Sequence, residues 1–150
     1  MSNHDSLNET QQESALPINE LRRKCLTFAQ ENFQGKRFTN KPTGMEIQVS
    51  RQGIGEWKMK SKSREQILSI KILDSILESA EFDHEAKDEK GRENIESFSY
   101  FKHLCRINGK PFQVIITTKR TKTHGDKYYH HYLEDIKIEP YSGTARTHAG

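Results

Sequence analysis

Ring-stacking groups and proton-transfer groups stand side by side in one stretch of this chain, Tyr128-Tyr129-His130-His131-Tyr132, which runs on into Leu133-Glu134-Asp135-Ile136-Lys137-Ile138. Tyrosine-rich strands also arise from packing alone, so the segment gains meaning only from what other elements bring to it. Chemistry on RNA needs no metal when the substrate's own 2′-OH attacks the adjacent phosphate, given a base, an acid and a cation for the developing charge. His130 or His131 could move the protons, Arg106 or Lys60 could neutralise the phosphate oxygens, and Tyr100, Tyr128 or Tyr129 could stack a base. Adjacent residues on a strand project to opposite faces, so His130 and His131 cannot share one metal ion. No metal site is expected, and no cofactor is implied.

A second cluster is cationic. Lys58, Lys60, Lys62 and Arg64 crowd the approach to a predicted helix, the end at which the helix dipole disfavours positive charge. A bound phosphate would relieve that conflict, with Ser61 and Ser63 nearby. Long side chains pointing into water would relieve it equally well. The motifs of phosphate-binding loops, zinc proteases and serine hydrolases are all missing, and Cys25 and Cys105 lack any paired-cysteine spacing. His103 and Cys105 share a strand face, but an apolar one, where a hydrogen-bonded core histidine is the commoner occupant.

The elements that must position these groups follow from periodicity. Leu21, Cys25, Phe28 and Phe33 recur at near-helical spacing after Pro17 and stop at Gly35, which predicts a first helix. Met45, Ile47 and Val49 alternate with polar residues as in a half-buried strand, leading into a Gly53-Ile54-Gly55 loop. Ser63 and Gln66 form a capping-box pattern ahead of a second, very apolar helix that continues to Ala80. Residues 83–96 are charged and without pattern, and read as an exposed connection. Asn108-Gly109 between two strand-forming runs predicts a type I′ hairpin. Its register pairs Ile107 with Lys110, Cys105 with Phe112, His103 with Val114 and Phe101 with Ile116 on the core face. Tyr100, Lys102, Leu104, Arg106, Gln113, Ile115 and Thr117 then occupy the other face. A third strand begins near Lys127. Ile136 and Ile138 place its even positions in the core while Leu133 and Tyr129 argue for odd ones, a conflict that a bulge near Tyr132 would resolve.

The result is an α+β class: two helices from the N-terminal half on a roughly four-stranded antiparallel sheet ending in a meander. A chain of 150 residues with 32% apolar content fits one domain, expected over 17–140, with residues 1–16 and 141–150 as disordered tails. No apolar run reaches membrane-spanning length and residues 1–10 lack a secretory pattern, so a cytoplasmic protein without membrane contact is expected. Charge is uneven: residues 15–80 and 98–150 are each net +5, while 1–14 and 81–97 are net −3 and −4. A basic body with acidic flanks suits a polyanionic partner.

The phrases Met45-Glu-Ile-Gln-Val-Ser-Arg-Gln-Gly-Ile54, Ile72-Leu-Asp-Ser-Ile-Leu-Glu-Ser-Ala80, Tyr100-Phe-Lys-His-Leu-Cys-Arg-Ile-Asn-Gly-Lys110 and Tyr128-Tyr-His-His-Tyr-Leu133 together resemble the large polyvalent protein-associated domain 3 group. That group is related to the barnase, EndoU, colicin-RNase and RelE-like nuclease fold. The resemblance spans about residues 18–139 and departs from the group at Lys58-Met59-Lys60-Ser61, where members often carry a histidine. It implies a metal-independent, toxin-like endoribonuclease domain of a phage or mobile-element protein. The expected catalytic residues are His130, His131, Arg106 and Lys60; Tyr100, Tyr128, Tyr129, Lys58, Lys62, Arg64 and Thr117 are expected to contact the nucleic acid. RNA is the expected partner, with a protein inhibitor or other protein partner as a second. The alternative is a noncatalytic nucleic-acid- or protein-binding module of the same fold.

Overall fold

Both central residues of the Asn108-Gly109 turn have positive φ, 53° and 76°, as the type I′ geometry requires. From this turn the two longest strands, β5 (Ile95–Ile107) and β6 (Lys110–Lys122), run back in the expected register. The computed structural model describes residues 5–91, 95–122 and 129–142, without the side chains of 5, 122 and 129. Strand β7 (Tyr129–Pro140) completes an antiparallel meander with β5 and β6. Between Thr117 and Thr118 the β6–β7 register slips, so Asp135 pairs with Thr117 but Leu133 pairs with Thr118 and Glu134 is the extra residue. That bulge puts Leu133, Ile136 and Ile138 together in the core, and so settles the conflict of parity.

The sheet is larger and more mixed than four antiparallel strands. Among the described residues it has seven: β1 (Asp5–Leu7) lies parallel to the C-terminal end of β5, β4 (Glu81–Lys87) lies antiparallel to its N-terminal half, and β3 (Glu46–Gln48) joins β7 in parallel with β2 (Arg37–Thr39) outside it. Strand β4 occupies part of the stretch expected to be an exposed connection. Its side chains are nearly all exposed, so no burial pattern marks it, and its backbone pairing with β5 holds it. Residues 5–14 likewise form β1 and the short helix α1 (Gln11–Ser14) where composition points to a loose tail. They are held from afar: Asn108 N donates to the Leu7 carbonyl, Arg64 reaches the Glu9 carboxylate and the carbonyls of Glu13 and Leu16, and Lys71 lies 2.6 Å from the buried Glu13 carboxylate. Burial opposes the charge on Glu13, but hydrogen bonds from Lys71 and the Thr10 backbone outweigh it and hold the carboxyl below its ordinary range.

Helices cover one face of the sheet. Helix α2 (Ile18–Asn32) turns Leu21, Cys25 and Ala29 inward, and ends before Gly35 at φ 83°. The apolar stretch after Ser63 is not one helix but α4 (Arg64–Leu68), a 3₁₀ turn over Ser69–Ile72 and α5 (Leu73–Ser79), which together bury Ile67, Leu68, Ile70, Leu73, Ile76 and Leu77. The capping box of Ser63 with Gln66 is present. Buried Asn40 ties the end of α5 to the β2–β3 turn, donating to the carbonyls of Leu77 and Ala80 while accepting from Thr43.

The Gly53-Ile54-Gly55 segment lies within a helix, α3 (Arg51–Lys60), capped by Ser50. The same Ser50 hydroxyl donates to the Leu133 carbonyl, and Gln66 Nε2 donates to that of Ile138. Since β3 pairs only with His131 and Tyr132, these donors satisfy the strand edge of β7 that β3 leaves open. No helix among the described residues is long and apolar enough to cross a membrane.

Candidate nucleic-acid interface

Among the described residues no helix layer covers the second face of the sheet, and two adjacent rows of side chains cross it. The first row is set by strand register: His84 of β4 opposite Tyr100 of β5, Tyr100 opposite Thr117 of β6, and Thr117 opposite Asp135 of β7. The β4–β5 register slips between Phe82 and His84, leaving Asp83 as the extra residue. Its carboxylate bonds His84 Nδ1 at 2.5 Å, and Lys102 Nζ stands 3.4 Å from its other oxygen. The bond to His84, then that to Lys102, holds the Asp83 carboxyl below its usual range. The imidazole lies flat on the Tyr100 ring, centroids 4.4 Å apart and planes 3° from parallel. With Nδ1 engaged, Nε2 is the ring nitrogen left to face a ligand.

At the other end of the row, α3 lies along β7 and projects over it. Lys60 Nζ is 2.7 Å from both Asp135 oxygens and 3.4 Å from Glu56. Burial works against that charge, but Asp135 and Glu56 outweigh it and raise the Lys60 pKa above the ordinary lysine value. Between the two ends lies a groove of about 490 Å³ lined by Gln52, Glu56, Phe98, Tyr100, Thr117, Glu134 and Asp135. Three strand spacings separate His84 from Asp135, about 14 Å between main chains.

Tyr100 and Thr117 are cross-strand neighbours and Lys60 reaches Asp135 beside them, but neither His130, His131 nor Arg106, which the sequence reading placed with them, joins them. Arg106 is on the same face at the hairpin end, its guanidinium 3.3 Å from the Gly109 carbonyl, and six residues, or about 20 Å, from Tyr100. His130, paired with Thr121, is tilted against Tyr132 at 6.3 Å. His131 projects to the helix-covered side opposite Arg120. There its Nδ1 is buried without a hydrogen bond, and burial, then the Arg120 charge, depresses its pKa. The Arg120 guanidinium is 3.7 Å from Glu85, whose carboxylate accepts from the Ser97 hydroxyl. Tyr128 and the side chain of Tyr129 fall outside the described residues.

The cationic cluster before α4 does not form an anion cradle. Arg64 is committed to the N-terminal segment, and the backbone N–H groups of Lys62 and Ser63 both donate to Gln66 Oε1. Lys58 and Lys62 stand exposed. Among the described residues, no three of His, Cys, Asp and Glu are grouped to hold one metal ion.

The model of the large polyvalent protein-associated domain 3 family matches residues 18–140. The chain belongs to that family. The membership places it among modules associated with phage and mobile-element polyvalent proteins. Neither the curated proteins nor the solved structures contained a match. Within this domain 3 chain, the matched residues take in both rows of the open face and leave out β1 and α1. The imidazole beside Tyr100 is that of His84, a residue that sequence reasoning did not single out. No signal in the sequence marks it: β4 is exposed along nearly its whole length, and the bulge that sets His84 opposite Tyr100 comes from the pairing with β5.

Proposed function

We propose that this domain 3 chain cleaves RNA on the open face of its sheet, by attack of the substrate's 2′-oxygen on the adjacent phosphorus. The supporting observation is the Asp83-oriented His84 imidazole stacked on Tyr100, which lines the same groove as Glu56 and Asp135, the two carboxylates paired with Lys60. In this reading Asp135 or Glu56 takes the proton from the 2′-OH. The new bond to phosphorus forms as the bond to the 5′-oxygen breaks, and His84 gives its proton to that leaving oxygen. Lys60 and Lys102 meet the charge on the non-bridging oxygens, and Tyr100 and Phe98 offer stacking surface. The products are a 2′,3′-cyclic phosphate and a 5′-hydroxyl.

The reading keeps Tyr100, Thr117 and Lys60 from the sequence-derived set and replaces the histidines of β7 with His84. The test is a labelled RNA incubated with purified protein in EDTA between pH 5 and 8, with end-group analysis of the products. Cyclic-phosphate ends that fall about 10²–10⁴-fold in rate in His84→Ala are expected. RNA that is bound but left intact by the wild type would assign the chain instead to a noncatalytic module of the same fold.

A further inference from the structure

The second row on the open face lies one side-chain repeat, about 7 Å, further along the strands. It runs Phe98, Lys119, Tyr132, Gln48, Arg37, one residue from each of β5, β6, β7, β3 and β2, every neighbour a register partner of the last. Aromatic and cationic side chains alternate along it, with an amide before the final cation. It starts at Phe98 in the wall of the 490 Å³ groove and ends in a cleft of about 250 Å³ lined by Arg37, Gln48, Glu46, Met45, His130 and His131. The row spans four strand spacings, about 19 Å.

We propose that this row is a track for single-stranded RNA laid across the strands, leading the substrate between the cleft and the groove. The inference rests on the RNA reading of the groove and names the substrate's form. Phe98 and Tyr132, two spacings apart, stack successive unpaired bases, and Lys119 and Arg37 meet the phosphates beside them. A duplex hides its base faces in its own stack and cannot use the rings. Both cations already hold a carboxylate loosely, Lys119 with Glu134 at 3.5 Å and Arg37 with Glu46 at 3.6 Å. Such pairs hold the long side chains beside the row, where a phosphate would take the place of the carboxylate. His130, tilted against Tyr132, extends the aromatic surface toward the cleft.

The experiment is fluorescence anisotropy of a labelled ten-nucleotide 2′-O-methyl oligouridylate, which lacks the attacking hydroxyl, against a labelled 2′-O-methyl RNA duplex of equal length, with wild-type protein in EDTA and with salt varied. The single strand is expected to bind at least tenfold more tightly than the duplex, with a log–log salt slope of about −1.4 for two phosphate contacts. Phe98→Ala and Tyr132→Ala are each expected to weaken single-strand binding roughly 5- to 150-fold. Lys119→Met should reduce the slope by about 0.7. Should either alanine variant fail to fold, Phe98→Leu or Tyr132→Leu, which removes the ring but keeps an apolar side chain, carries the comparison together with Lys119→Met, which leaves the rings in place. Equal affinity for the duplex, or unchanged affinity in the ring variants, would overturn the track. The two proposals fail separately: single-strand binding through the row without cleavage removes only the catalytic reading. Cleavage that depends on His84, with KM unchanged in the Phe98 and Tyr132 variants, removes only the track. No RNA binding at low salt removes the track and leaves the face to a protein partner.

Discussion

Two glycines two residues apart in α3 should respond to the same substitution with opposite sign. A Cβ at Gly53 would stand 2.6 Å from Leu133 Cγ and 2.8 Å from the Leu133 carbonyl oxygen, whereas a Cβ at Gly55 meets nothing within 4 Å. Carbon contacts relax at about 3.5–4.0 Å, so Gly53→Ala forces α3 and β7 apart by roughly 1 Å. The obstacle includes backbone, and that carbonyl also accepts the Ser50 hydroxyl. Overpacking costs about 1–3 kcal/mol, and weakening the Ser50 bond adds about 1. Alanine's better helix propensity returns about 1, which leaves a net loss of about 1–3 kcal/mol. Gly55→Ala has only the propensity term and should gain about 0.4–1 kcal/mol. In urea unfolding, with a slope near 2 kcal/mol/M, the midpoint should fall by roughly 0.5–1.5 M in the first variant and rise by roughly 0.2–0.5 M in the second. The displacement also moves Lys60 away from Asp135, so Gly53→Ala should slow any RNA cleavage more than its stability loss explains. A midpoint that rises in Gly53→Ala would refute the close packing of α3 on β7.

Further outcomes follow from other contacts. Asn40→Ala should lower stability by about 2–3 kcal/mol in the same unfolding assay, because it strands the buried carbonyls of Leu77 and Ala80; an effect below about 0.5 would deny that role. Because the folded pKa of His131 is depressed, the unfolded ring binds more protons, so stability present above the ordinary value of 6.5 should be lost as pH falls through the folded value. His131→Gln should flatten the dependence of the urea midpoint between pH 8 and 5, and an unchanged slope would remove His131 as its source. Burial, then the nearby Glu13 charge, pushes the Cys25 thiol up to about 11, so alkylation at pH 8 should track global unfolding; rapid labelling of the native protein at Cys25 would contradict its burial.

Sequence reasoning reached the meander because each of its signals is carried by a few neighbouring residues. Asn108-Gly109 specifies turn dihedrals, and the turn then sets every pair from Ile107–Lys110 outward. It missed β4 because an edge strand of exposed charges has no apolar alternation to read. It misread Gly53-Ile54-Gly55 because glycine's low helix propensity was outweighed by close packing against Leu133, a residue 80 positions away. Residues 5–14 escaped for a similar reason, since Arg64, Lys71 and Asn108 supply the bonds that hold them.

Three of the proposed site residues, Tyr100, Thr117 and Lys60, were legible as a polar strand face and a cation near it, but the imidazole was not. By itself, the sequence determined which side of each hairpin strand meets the core, where the hairpin turns and how α4 begins. These depend on alternation, turn dihedrals and a side chain bonding to backbone three residues away. Only the tertiary structure decided that His84 rather than His130 or His131 stands beside Tyr100, and that Phe98, Lys119, Tyr132, Gln48 and Arg37 form one row. Bulges at Asp83 and Glu134 shift register by a single residue, and a single residue exchanges one face for the other. Their placement comes from packing between segments far apart in the chain, a free-energy balance that no local pattern contains.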